Sequence, residues 1–176
     1  MKIGLVRHFK VKHNYPTSWF VSKEEVLQWF EGYENAEIEY QQVNMGEIGW
    51  TSCYTSPSAR AIKTADAVFS GNNIKTNALR ELNILPLLNT KISLPFLVWA
   101  ILVRIRSFSS NMITEEFKTR LFTFLDTIIS EDNENVLIVS HGFVMMFLRK
   151  ELLRRGFTGP GMMSPVHRRV YVFEKD

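Results

Sequence analysis

A single cysteine, Cys53, stands among 176 residues, so no internal disulfide can form and packing alone must hold the chain. Long apolar runs are also missing. The longest, Leu94 to Val103, has ten residues and is followed by Arg104 and Arg106; a membrane-spanning helix needs about 20. The N-terminus enters a charged strand-like run without the basic-then-apolar pattern of a signal peptide, so the expected location is the cytoplasm, with no membrane attachment. Neither charge dominates: 21 Lys and Arg against 18 Asp and Glu leave a net charge of +3. No basic tract or aromatic-interleaved basic stripe occurs, which argues against nucleic acid, while a small phosphorylated ligand suits the slight excess of positive charge. No carboxylate and histidine set has metal spacing, so neither a metal nor another cofactor is expected. Repeats, low-complexity tracts and linkers are absent as well. With 45% hydrophobic and 22% charged residues, positions 1–176 are expected to form a single domain with a sizeable core.

What is present is a repeated pattern of short apolar strands that end in charge. Lys2-Ile3-Gly4-Leu5-Val6 runs into Arg7-His8, and Val136-Leu137-Ile138-Val139-Ser140 runs into His141-Gly142. Both read as buried parallel strands delivering their last residues to a sheet edge, where α/β folds keep their chemistry. Thr51 to Thr55 is a third such strand, followed by Ser56 as a candidate N-cap, Pro57 at the first helical position and Arg60 in the first turn.

Between these lie the helices. Ser22-Lys23-Glu24-Glu25 is a capping box flanked by Val21 and Val26, opening a helix through Tyr33. The Arg60 segment continues as a helix to about Phe69, and Ile74 to Thr76 is a short strand, after which Ala78 to Leu82 leads into a loop with Pro86. The run from Ile92 through Phe108 is apolar nearly all round, which predicts a buried helix or a lid, with a lid or cap segment placed around 86–112. Phe117, Leu121, Phe124, Leu125 and Ile128 form a helix stripe behind Thr114-Glu115-Glu116 as cap and acidic first turn. A further helix follows His141, and Arg169 to Phe173 reads as an edge strand, while residues 37–49 settle on no period. Alternating strands and helices predict an α/β fold, a three-layer α/β/α sandwich around a mostly parallel sheet.

Two Arg and two His brought to one edge make an anion site. Guanidinium forks match phosphate oxygens and neutralise their charge. A neutral imidazole can then attack phosphorus, with the second histidine donating to an equatorial oxygen. The leaving alkoxide needs a proton, which a nearby carboxyl such as Glu81 can supply and later take from water. Cys53 suggests a rival, since cysteine phosphatases use C-x5-R, but Arg60 lies seven positions on rather than six and no glycine intervenes, so Cys53 reads as a strand residue.

In order along the chain, Leu5-Val6-Arg7-His8, Ser56-Pro57-Ser58-Ala59-Arg60, Leu79-Arg80-Glu81 and Val139-Ser140-His141-Gly142 resemble the successive motifs of the histidine phosphatase superfamily, also called phosphoglycerate-mutase-like. The resemblance implies a metal-independent phosphomonoester hydrolase with His8 as nucleophile, Glu81 as proton donor, and Arg7, Arg60 and His141 as catalytic, phosphate-binding groups. Gly142 and, by a looser match, Asn14 would join the phosphate pocket. Alternatives are a mutase-type phosphoryl transferase and a non-catalytic phosphate-ligand binding domain. The partner would be a small phosphorylated substrate or a phosphoprotein, and a homodimer is compatible with the apolar segment. Two departures stand out: Phe9 follows the Arg-His pair where the family has a small residue, and Asn83 to Leu88 lacks the family's Gly-rich pattern. Phe9 and Leu94 to Val103 are therefore expected to form a hydrophobic cap over the phosphate, with Lys10, Lys12 or Arg104 able to reach in. His13 and His167 read as surface residues.

Overall fold

The computed structural model describes residues 1–82, 92–109, 111–130 and 134–175, with the backbone alone over 103–109 and 111–114. The predicted loop residues 83–91, including Pro86, lie outside the described residues, as do 131–133. Five strands form one mixed, mostly parallel sheet: β1 (Lys2–Arg7), β2 (Ser52–Thr55), β3 (Asn73–Lys75), β4 (Asn135–Ser140) and β5 (Val170–Glu174), in the order β3-β2-β4-β1-β5. The first four are parallel, and β5 lies antiparallel on β1 as the predicted edge strand. In β1 and β4 the interior residues are buried on both faces, so they read as continuous apolar runs rather than as alternation.

Helices cover both faces and give the three layers the sequence predicts. On one side Ile3, Leu5, Val136 and Ile138 pack against α4 (Asn111–Ser130) and α5 (Gly142–Arg154). On the other, Val6, Cys53, Leu137 and Val139 meet Ala61 and Ala65 of α2 (Ala59–Val68). Gly4 is glycine for a steric reason, because a Cβ there would come within 2.4 Å of the Trp50 indole. The capping box at Ser22 and Glu25 starts α1 (Lys23–Asn35), and Val21 and Val26 pack together with Trp99 of α3 (Phe96–Ser109) in a satellite cluster.

Three local expectations are corrected. α2 begins at Ala59 with Ser58 at the cap position, not at Pro57, because the Ser56 hydroxyl is turned inward to His141. α4 begins at Asn111, so Thr114-Glu115-Glu116 lies within the helix, where Glu115 pairs with Lys118. Over Phe96–Leu102, the part of α3 whose side chains are described, Trp99 is buried against Val21 and Val26 while Leu97, Val98 and Ile101 are exposed, so this stretch is not the buried helix expected. Residues 37–49 form no strand, only isolated bridges from Ile38 to Val11 and from Asn44 to Arg169. No helix among the described residues is long and apolar enough to cross a membrane.

Candidate active site

Parallel pairing carries the carboxyl ends of β1, β2 and β4 to the same edge, with Arg7 level with Ser140 and Thr55 level with Val139. The chain continues in register one step further, as His8 N–H donates to the Ser140 carbonyl at 2.9 Å and Ser56 N–H to Val139 at 3.1 Å. Beyond this edge opens a cavity of about 840 Å³ lined by Arg7, His8, Arg60, Glu81, His141 and Gly142, among others. The predicted set of two Arg, two His and Glu81 is thus gathered in one place.

His8 and His141 are both buried, with ring centroids 5.2 Å apart and planes at 60°. The His8 Nδ1 lies 2.7 Å from the Phe9 carbonyl oxygen, which can only accept, so Nδ1 carries the proton and the lone pair is on Nε2. That nitrogen has no hydrogen-bond partner among the described residues. Burial, then the Arg60 and Arg7 charges, lowers the His8 pKa from 6.5 to about 3, keeping the imidazole neutral. The same causes, with His8 added, hold His141 well below its ordinary value.

Arg60 is buried and donates in three directions: to Glu34, to Glu81 at 3.5 Å, and to His141 Nδ1 at 3.3 Å. With Nδ1 accepting from the guanidinium, the His141 proton sits on Nε2 and is given to Ser56 Oγ at 2.8 Å. The Arg60 guanidinium also lies over the Tyr33 ring, 5.1 Å from its centroid. Arg7 donates to the Pro165 carbonyl at 2.9 Å, while its buried Nε is unpaired. A Cβ on Gly142 would meet the Arg7 guanidinium at 3.5 Å, so glycine leaves room beside it. Glu81 reaches within 3.3 Å of His141 Nδ1, its side chain 39% exposed to the cavity mouth. Burial raises its pKa above the ordinary carboxylate value, outweighing the pull of Arg60 and Arg7. The edge therefore holds a neutral imidazole, two cations and a carboxyl whose pKa is raised. Among the described residues no group of three His, Cys, Asp or Glu is placed to hold a metal ion.

The structure does not bring Asn14 into this cavity. It lines a neighbouring hollow of about 380 Å³, where its carbonyl accepts from Trp29 Nε1 at 2.7 Å. Phe9 forms no cap over the phosphate. Its ring is fully buried with Val11 and Ile38, because the residue after His8 points to the opposite side of the extended chain. Lys10 pairs with Glu39 rather than reaching inward. Cys53 is a buried strand residue whose thiol is pushed up to about 12 by burial.

Sequence reasoning missed four contributors. Glu34 and Tyr33 reach Arg60 from α1, and Ser56 holds His141. His167 is no surface residue, since its Nδ1 lies 2.6 Å from the His8 carbonyl and its ring centroid 5.7 Å from that of His8. His13 is likewise packed, against Trp29 at 5.1 Å. Only the box at Ser22 offered a signal, by fixing the helix that carries Glu34 and Tyr33.

The sequence profile of the histidine phosphatase superfamily, branch 1, matches residues 3–174. Among solved structures, Bacillus stearothermophilus YhfR superposes with a TM-score of 0.58 at 18% identity, covering 99% of this chain and 91% of that one. A putative alpha-ribazole-5'-P phosphatase from Escherichia coli K-12 gives 0.55 at 15% identity, over 86% and 79%. Phosphoglycerate mutase from Bacillus anthracis gives 0.51 at 20% identity, over 99% and 92%. At these identities the likeness is one of fold. No curated protein matches the sequence.

Proposed function

The chain belongs to the histidine phosphatase superfamily, branch 1, and from that premise we propose that it is a metal-independent phosphomonoester hydrolase that forms a phosphohistidine on His8. The observation that carries this reading is the tautomer of His8: the Phe9 carbonyl fixes the proton on Nδ1 and leaves the Nε2 lone pair free, on a ring that lines the same cavity as Arg7, Arg60 and His141. A phosphoryl group entering from the cavity is held by the two guanidinium groups, and its charge takes over the role Glu34 plays at Arg60.

His8 Nε2 then attacks phosphorus as the ester P–O bond breaks, and the protonated Glu81 gives its proton to the departing oxygen. Once phosphate draws Arg60 off His141 Nδ1, the Ser56 hydroxyl can donate to Nε2 instead, which leaves the His141 proton on Nδ1 to meet an equatorial oxygen as charge builds there. In the second step Glu81 takes a proton from water, whose oxygen bonds to phosphorus while the N–P bond breaks and the pair returns to Nε2. Alcohol and inorganic phosphate leave, and Glu81 and His8 end as they began. The non-catalytic alternative loses its motive, because the Phe9 ring is buried outside the crevice. The test is acid-quench trapping of phosphoenzyme from a labelled phosphomonoester, with phosphate release measured in parallel. His8→Ala should abolish both, and chelator should alter neither. An aryl phosphate hydrolysed by His8→Ala at the parent's rate would rule out His8 as nucleophile.

A further inference from the structure

The cavity is much larger than a phosphoryl group, and one of its walls is built of rings. Tyr33 sits under the Arg60 guanidinium. Trp29 lies over Tyr33 with centroids 5.2 Å apart and planes 23° apart, and Tyr15 continues the column over Trp29 at 6.0 Å and 7°. Phe96 stands edge-on to Trp29 at 4.7 Å and to Tyr15 at 5.6 Å. All four line the cavity. A continuous column therefore starts at the proposed phosphate-holding cation and ends at solvent, where Tyr15 is 73% exposed.

Tyr15 packs on Trp29 and Phe96 and still leaves most of its ring surface open, in the cavity that holds Arg60. Ring faces and edges carry opposite partial charge, so this wall favours another planar ring over an equally large saturated one. The remaining charged side chains of the lining, apart from Arg7, Arg60 and Glu81, are Arg80, Glu31 and Glu34. That balance offers no net positive pole to a second anion.

Resting on the hydrolase reading above, we propose that Tyr15, Trp29 and Phe96 form a leaving-group subsite that selects phosphomonoesters whose alcohol carries an uncharged aromatic ring close to the phosphate. The phosphate at Arg60 sets one end of the ligand, and the column that starts at the same guanidinium gives the ring a surface to lie on.

Binding of two phosphonates of matched size, benzylphosphonate and cyclohexylmethylphosphonate, tests this by calorimetry. Neither is a substrate, so the measurement is independent of turnover. The subsite requires benzylphosphonate to bind about 3- to 10-fold more tightly to the parent, although the saturated ring is the more hydrophobic of the two. Tyr15→Ala, at an exposed loop position that does not threaten folding, and Trp29→Leu should each shrink that ratio toward one. Equal binding of the two by the parent, or a preference that survives both substitutions, overturns the subsite. Phosphate release from benzyl phosphate is read separately: a ring preference without turnover would refute the hydrolase and leave the subsite standing, and turnover without ring preference would do the reverse.

Discussion

Acidification should destabilise this fold far more than its carboxylates alone would require, because the site buries neutral histidines. In the unfolded chain His8 titrates near 6.5, and in the folded protein near 3. Between those values the unfolded state binds a proton that the native state refuses, so stability is full above pH 6.5 and falls as pH drops. The slope is about 1.4 kcal/mol per pH unit for each such group, and from pH 7 to 5 His8 alone costs about 2 kcal/mol. His141 is lowered for the same reasons and adds in the same direction. The loss therefore exceeds the roughly 2 kcal/mol of His8 alone, already a large share of the 5–15 kcal/mol that holds a typical domain together. Urea unfolding followed by circular dichroism at pH 7, 6 and 5 measures the loss. His8→Asn keeps a donor for the Phe9 carbonyl but cannot titrate, so that variant should lose about 2 kcal/mol less than the parent across the same interval. If parent and variant lose stability in parallel, His8 is not held neutral by its surroundings, and its readiness as a nucleophile loses its physical basis.

Glu34→Gln removes a carboxylate from Arg60, where it competes with any bound phosphate; inorganic phosphate should then inhibit or bind about fivefold more tightly, an effect of roughly 1 kcal/mol for a half-exposed pair, and an unchanged constant would mean that Glu34 swings clear at no cost. Phe9→Ala empties a fully buried site beside Val11 and Ile38, so about 3–5 kcal/mol of stability should be lost in chemical denaturation, with no gain of activity on bulkier substrates. Arg168 has a φ of 66°, in the left-handed region that favours glycine, so Arg168→Gly should hold or raise the melting temperature, by at most a few degrees, where an ordinary surface change to glycine would lower it.

The parts of the site that were legible in sequence are those where several local signals agree. A run of four or five apolar, β-branched-rich residues ending in charge, as at Val6-Arg7-His8 and Ser140-His141, reads as a buried strand with its polar end at the edge, and the helix after Ser56 follows from its Ala61 and Ala65 face. The illegible parts come from tertiary proximity. Glu34 meets Arg60 across 26 positions, Ser56 meets His141 across 85, and His167 meets His8 across 159. Nothing in a local window distinguishes those side chains from solvated ones. Phe9 was misleading for a different reason, since adjacency to the nucleophile in sequence means opposite orientation in extended chain. In the described side chains of α3, an apolar run read as burial instead anchors Trp99 and leaves Leu97, Val98 and Ile101 exposed.

The contacts that Pro165 and His167 make with Arg7 and His8 tie the order of synthesis to the order of folding. β1 is made early, yet both strands that flank it, β4 and β5, are made more than a hundred residues later. The groups that fix Arg7 and His8 from below, the Pro165 carbonyl and the His167 ring, come later than β4 as well. On the ribosome the strand that leads into His8 therefore waits as an unpaired apolar segment while some 130 further residues emerge, the kind of non-local closure that is slow and exposes sticky edges. A nascent chain stalled before position 165 would hold both histidines and both arginines of the cavity and still lack the support that aims them.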